Sequence, residues 1–222
     1  MHEGVRRIGI DGISYRRHRR DLLVIVDHDR RRLIHAVDGS NTNSRHGFFD
    51  RLGPDRVAAI THVSADGAPW IARTVTERCP QATLCADTFH VVAWATEALD
   101  EVRRQTWNDV RQRRARAQRA IGAGKTLKNA RWSLCKNPEN LTDTQRTQLA
   151  YIAATHPRLH RAWALKEGLR VAVTGTGPSA VNALDQWISW AQRSRIPAFV
   201  RLSQRIRRHR TRIIATIEHG LT

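Results

Sequence analysis

Five short apolar runs lie within the first 87 residues, and helical spacing takes over directly after them. That order limits the chain to a sheet followed by helices. Val5 to Asp11 is rich in β-formers and reads as a strand ending at an acid. Leu22 to Asp27 is nearly all apolar, which predicts a second strand buried on both faces. The polar turn His28-Asp29-Arg30-Arg31 leads straight into a third, Arg32 to Val37, so these two are expected to pair as an antiparallel hairpin. Asp38 to Asn41 punctuates the chain. A short helix is expected from His46 to Leu52, stopped by Gly53-Pro54. Val57 to Asp66 reads as a fourth strand, again ending at an acid. Pro69 fits the first turn of a helix running to about Arg78. Ala82 to Asp87 is a fifth strand. The order β-β-β-α-β-α-β predicts an α/β fold, a mixed sheet with helices on its faces.

From Phe89 onward the apolar residues Val91, Val92, Ala95, Leu99 and Val102 recur at three- and four-residue steps. That helix continues into a basic run, and Gly122 and Gly124 mark a loop or tip. Lys128 to Lys136 comes next, then a break at Asn137 to Asn140. Thr142 with Gln145 three residues on has the form of a capping box, opening a helix to Ala154. His156-Pro157 ends it, and further helices are predicted over Leu159–Arg170, Ala180–Ser194 and Pro197–Ile217. The expected division is residues 1–88, an α/β core, and residues 89–222, a helical, Arg-rich region.

The 222 residues carry 38 Lys+Arg against 20 Asp+Glu, a formal net charge of +18. Self-repulsion of that size disfavours compaction unless a polyanion relieves it. Only Lys125, Lys128, Lys136 and Lys166 are lysines, and the planar arginine fork matches phosphate. Nucleic acid is the indicated partner. An arginine-rich proteome would explain the Arg-to-Lys ratio but not the excess over acids. The densest stretches suggest a nucleic-acid-backbone track through Arg103, Arg104, Arg111, Arg113, Arg114, Arg205, Arg207 and Arg208. A solvated helix face is the other reading of each stretch.

No run approaches the roughly 18 apolar residues of a membrane span. Cys79, Cys85 and Cys135 form neither a disulfide framework nor a Cys-x-x-Cys pair. A soluble, cytoplasmic protein is expected. The seven tryptophans read mostly as core, with Trp187 and Trp190 beside Leu184 forming a buried stripe. Stacking on unpaired bases is their alternative use.

Two acids carry the chemistry. Asp11 and Asp66 each end an apolar strand and precede a glycine. On adjacent strands their carboxylates would share one sheet edge and repel unless a cation sat between them. Mg²⁺ suits such a place, keeping waters for substrate phosphates. The competing reading is structural, since Asp-Gly is an ordinary turn dipeptide. Asp87 with His90 has the same ambiguity. The imidazole orients or protonates a reacting group, or else Asp87 caps a helix through the His90 amide.

A resemblance goes further. The segments Arg7-Ile-Gly-Ile-Asp11 with Ile13-Ser-Tyr-Arg16, Val26-Asp-His-Asp29, Ile60-Thr-His-Val-Ser-Ala-Asp66-Gly67 and Cys85-Ala-Asp-Thr-Phe-His90-Val-Val92 occur in order along the chain. So do Ala162 to Arg170, Ile196 to Val200 and Ile217 to Leu221. Together they resemble the catalytic domain of a DDE transposase of the ISL-three insertion-sequence group. The resemblance implies a ribonuclease-H-like, mixed five-stranded sheet with a large helical insertion. It maps the family's first two acids to Asp11 and Asp66 and a supporting motif to Asp87 and His90. It implies Mg²⁺ or Mn²⁺ as cofactor, double-stranded DNA of the element ends and target as substrate and a nucleoid-associated location, and it leaves a homo-oligomer open. The family usually has Glu where this chain has Gly12. Its third acid is expected beyond Thr222, so the chain is expected to be a catalytic domain shortened at both ends, weak or inactive alone. Of two possible substitutes, Glu167 is expected to be a solvated helix acid and Glu218, near a frayed terminus, to be no better. The alternative function is a catalytically inactive DNA-binding or regulatory remnant.

Overall fold

A computed structural model of the chain describes residues 4–16, 20–39, 42–117, 127 and 130–221. Strand β1 (Arg7–Arg16) returns as β2 (Arg20–Asp27), and β2 returns as β3 (Arg32–Asp38), both pairs antiparallel. The second reversal is built by Asp27, fully buried at the end of β2. Its carboxylate accepts the backbone N–H groups of Asp29 at 3.1 Å and Arg30 at 3.3 Å. This Asx-type turn, with Arg31 at φ 50°, makes the expected hairpin.

Two expectations for these strands are corrected. β2 is not buried on both faces: Leu23, Ile25 and Asp27 are buried, while Leu22, Val24 and Val26 are half-buried. An uninterrupted apolar run does not by itself say how many faces are covered. Nor does β1 end at Asp11. It runs on to Arg16, zipped to β2 through Asp11↔Val24, Gly12↔Leu23 and Ile13↔Leu22. What ends beside Asp11 is the partnership with β4 (His62–Ala65), which lies parallel to β1 and closes its register at Ile10↔Ala65. β5 (Thr83–Ala86) is parallel to β4. The order β3-β2-β1-β4-β5 is that of a ribonuclease-H-like mixed sheet.

Helices α1 (Thr42–Leu52), α2 (Pro54–Ala58) and α3 (Pro69–Arg78) follow β3 and β4. α2 was not expected. Gly53-Pro54, read as a stop, also starts a helix, with Gly53 at φ 82° and Pro54 in the first turn. It takes up Val57 and shortens the fourth strand to His62–Ala65. Ile8, Ile10, Leu23, Ile25 and Val63 form the buried sheet face. Phe48, Phe49 and Leu52 of α1 and Ile71 and Val75 of α3 pack in the same core. Each such side chain contributes about 1.5–3 kcal/mol by leaving water. By strand alternation the opposite face carries Gly9, Asp11 and Ser64.

Among the described residues the further α-helices with stated bounds are α4 (Thr88–Ala117), α5 (Ala130–Cys135), α6 (Asp143–Thr155), α7 (Pro157–Thr174), α8 (Gly177–Arg193), α9 (Pro197–Arg208) and α10 (Arg210–His219). The Thr142–Gln145 capping box forms in both directions. The helix expected from Pro197 to Ile217 is broken at His209, and nothing in the local sequence marks the break. The tip at Gly122 and Gly124 lies outside the described residues. Trp94 and Trp187 are buried, but Trp132 and Trp190 are exposed, so the stripe from Leu184 stops at Trp187.

Two compact units emerge, residues 1–90 with 209–222, and residues 91–208. The last helix, read from sequence with the helical region, is grouped with the sheet. Thr216 Oγ1 donates to the Ala86 carbonyl at 2.7 Å, and Leu221 packs with Cys85 and Ala215. Arg7 donates to the His219 carbonyl at 3.2 Å.

Candidate metal centre

Parallel pairing of β1 and β4 decides where the acids go. Because Ile10 and Ala65 are in register, Asp11 and Asp66 come next side by side. Asp66 leaves the strand in a turn, its Oδ1 accepting the Ala68 N–H at 2.9 Å just before α3. The turn reading of this acid therefore holds alongside its place at the sheet edge. Asp87, beyond β5, accepts the Phe89 N–H at 2.8 Å through Oδ1 and holds His90 Nδ1 at 2.9 Å through Oδ2. The capped amide is thus that of Phe89 rather than His90, and the same carboxylate also fixes the imidazole. With Nδ1 engaged, His90 Nε2 stands 3.9 Å from Asp11 Oδ1.

Asp11, Asp66 and His90 each offer one ligand atom, and these atoms lie within 4.8 Å of one another. Asp11 Oδ1 is buried and has no hydrogen-bond partner among the described residues. Burial pushes the Asp11 carboxyl above the usual aspartate range, with Asp87 and Asp66 adding repulsion. His90 and the Gly12 amide oppose that shift. Two carboxylates with an imidazole form a donor set that a divalent cation fits.

Sequence reasoning missed His28 and Ser64. His28 Nε2 lies 2.7 Å from Ser64 Oγ, and both line a cavity of about 330 Å³ that also reaches Asp11, Asp87 and Leu221. Gly9 inside a strand was the available signal, because such a glycine marks a close approach. Burial, then the neighbouring Arg7, holds the His28 imidazole below its ordinary value. Cys79 and Cys85 are buried thiols pushed up to about 11, hence inert.

Glu167 is not a solvated acid. It is buried, pairs with the fully buried Lys166, and accepts from Arg170 Nε at 2.7 Å. Lys166 also reaches the Cys135 and Lys136 carbonyls at 3.5 Å, so the charges sit in a closed network within the helical unit.

The eight arginines singled out from the sequence all lie in residues 91–208. Arg103 and Arg104 both bind Asp100, at 2.7 and 3.2 Å. Arg205 stacks 3.7 Å above the Trp94 ring, and Arg207 donates to Gln192 at 2.8 Å. Arg111, Arg113 and Arg208 are exposed. Arg114 lies on α4 with its side chain outside the described residues.

The sheet is ribonuclease-H-like, and two acids follow side by side where its β1–β4 ladder ends. A family model described as a transposase, that of the ISL3 (ISL-three) group, matches residues 8–222. The chain belongs to that transposase family. It is 54% identical over 233 residues to the transposase for insertion sequence element IS1557 of Mycobacterium tuberculosis, in strains CDC 1551 / Oshkosh and H37Rv. That alignment covers 98% of this chain and 52% of the relative. Similarity to the transposase for insertion sequence element IS1001 of Bordetella parapertussis is 27% over 216 residues, 96% of this chain and 52% of that protein. The chain spans about half the length of the curated relatives it matches. Among the described residues no helix is long and apolar enough to cross a membrane.

Proposed function

We propose that this chain contributes a metal centre to DNA transposition, the cutting and joining of double-stranded DNA at an element's ends and its target. The orphaned Asp11 Oδ1 carries the reading, buried with Asp66 and His90 ligand atoms inside 4.8 Å. A buried carboxylate oxygen with no donor is unfavourable, and a divalent cation offsets that. Asp11 and Asp66 would hold Mg²⁺ or Mn²⁺, with His90 completing the set. Asp87 sets the His90 tautomer, as outer partners of ligands commonly do. When bound, the ion supplies charge stabilisation to a phosphodiester under attack. Phosphate contacts would come from Arg111, Arg113, Arg114 and Arg208, with Arg103, Arg104, Arg205 and Arg207 adding to the field. The excess of +18 supports a polyanionic partner in the nucleoid.

A Mn²⁺ titration read by electron paramagnetic resonance tests the metal site. Asp11→Asn or Asp66→Asn is expected to weaken binding at least about ten-fold. Wild-type affinity in both variants would remove the metal reading. A gel-shift titration at several salt concentrations tests the partner, and no retarded DNA even at low salt would remove it. A second reading, an inactive DNA-binding or regulatory protein, is favoured by one observation. Among the described residues the cluster joins two carboxylates to one imidazole, with no third carboxylate. Retarded DNA without Mn²⁺ binding would select it. Robust Mg²⁺-dependent plasmid nicking, lost in Asp11→Ala, would reject it.

A further inference from the structure

We propose that His28 is a positioning residue for the acid pair, its imidazole strapping the end of β2 to β4 across β1, one pleat below Asp11 and Asp66. The proposal rests on the metal reading above and goes beyond it.

Gly9 is the pivot. In register it faces Val26 of β2 on one side and Ser64 of β4 on the other. A Cβ added to Gly9 would lie 2.8 Å from Val26 Cγ2, 2.9 Å from His28 Nε2 and 3.1 Å from Ser64 Oγ. The imidazole therefore rests directly on the β1 backbone. It crosses from the end of β2 to Ser64, where the 2.7 Å bond closes the strap. Only glycine leaves room beneath it. The strap's root is fixed too: the His28 N–H donates to the Arg7 carbonyl at 3.0 Å, and Arg7 pairs with Asp29 at 2.5 Å.

The strap's position matters because the acids lie a short step further along the same two strands. Asp11 is two residues beyond Gly9, and Asp66 two residues beyond Ser64, so the acids sit on the strap's face. The parallel ladder stops at Ile10↔Ala65, one residue short of both. β4 has only four residues to hold its place. A side-chain tie across β1 just below the acids limits how far the two carboxylates can drift apart. Metal ligands need placement within about 0.5 Å, which their supporting contacts must provide. A neutral imidazole serves in either tautomer, since a hydroxyl both donates and accepts.

The test compares wild type with His28→Ala, His28→Gln, Ser64→Ala, the double alanine variant and Asp11→Asn. Two readouts are taken: Mn²⁺ affinity by electron paramagnetic resonance, and metal-free melting. His28→Ala and Ser64→Ala should each weaken Mn²⁺ about ten-fold. The double variant should be no worse than the poorer single, because both remove one bond. His28→Gln, which keeps a polar group in reach of Ser64, should recover most of the affinity. Ser64→Ala deletes a single hydroxyl and keeps the test open if His28→Ala does not fold. Lower melting with unchanged Mn²⁺ affinity would reduce the strap to packing and overturn the proposal, as would a His28→Gln no better than His28→Ala. Loss of binding in Asp11→Asn but not in His28→Ala would fail the strap alone. Unchanged binding in Asp11→Asn would fail the metal reading, and the strap with it.

Discussion

Asp11 and Asp27 lie on neighbouring strands and titrate in opposite senses. Asp11, raised first by burial, binds its proton more readily folded than unfolded. The stability it contributes is present below the ordinary value near 3.8 and is lost as pH rises through its own higher value. Metal-free Asp11→Asn should therefore be more stable than wild type at neutral pH. The gain should fade as pH falls through the raised Asp11 value, as urea melts across that range would register. Burial also raises Asp27, but the Arg30 guanidinium and the Arg30 and Asp29 amides outweigh it and hold the carboxyl below 3.8. Its contribution is present above 3.8 and is lost as pH falls through the lower value. Asp27→Asn should lose about 1–3 kcal/mol at neutral pH, a penalty that closes in strong acid. Asp11, Asp66, Asp87 and His90 were legible because acids followed by small residues, or by a helix start, stand out in a line of sequence. His28 was not, since a turn residue whose ring folds back over a neighbouring strand is visible only once the strand order is known.

At the level of elements, α7 shows what a one-dimensional pattern conceals. Charged residues on a helix ordinarily face water, yet Lys166 and Glu167 are buried side by side. Lys166→Ala should cost about 3–5 kcal/mol by leaving Glu167 charged and short of a partner. The pair Lys166→Met with Glu167→Leu should come near to wild type, and chemical melts of the single and double variants separate these outcomes. At the head of α6, Thr142→Ala should cost about 1 kcal/mol, because the capping box legible in the sequence is formed. Periodicity revealed most helices, but not every boundary. α2 hid behind a Gly-Pro read only as a terminator, and the break at His209 carries no glycine or proline. Strand pairing beyond Asp11 was equally silent, because the partner that holds it, β2, is decided by three-dimensional register.

The whole molecule is set by charge and by chain path. If DNA lies against the helical unit, Arg111→Gln and Arg113→Gln should each lower the slope of log affinity against log salt by about 1. Arg103→Gln should change it less, because Asp100 already neutralises that guanidinium. The mixed sheet was within reach of the sequence, since a hairpin followed by two crossover units leaves few alternatives. The return of α10 was not. Its bond from Thr216 to Ala86 joins positions 130 apart, and no local pattern announces so distant a partner. One outcome concerns synthesis. A nascent chain emerges with all five strands early, but their closing helix leaves the ribosome only after the entire intervening interval has been made. Until then the β5 flank is a half-finished surface in need of shelter. Once closed, it is indifferent to how long the detour was, since doubling a flexible loop costs only about 0.6 kcal/mol.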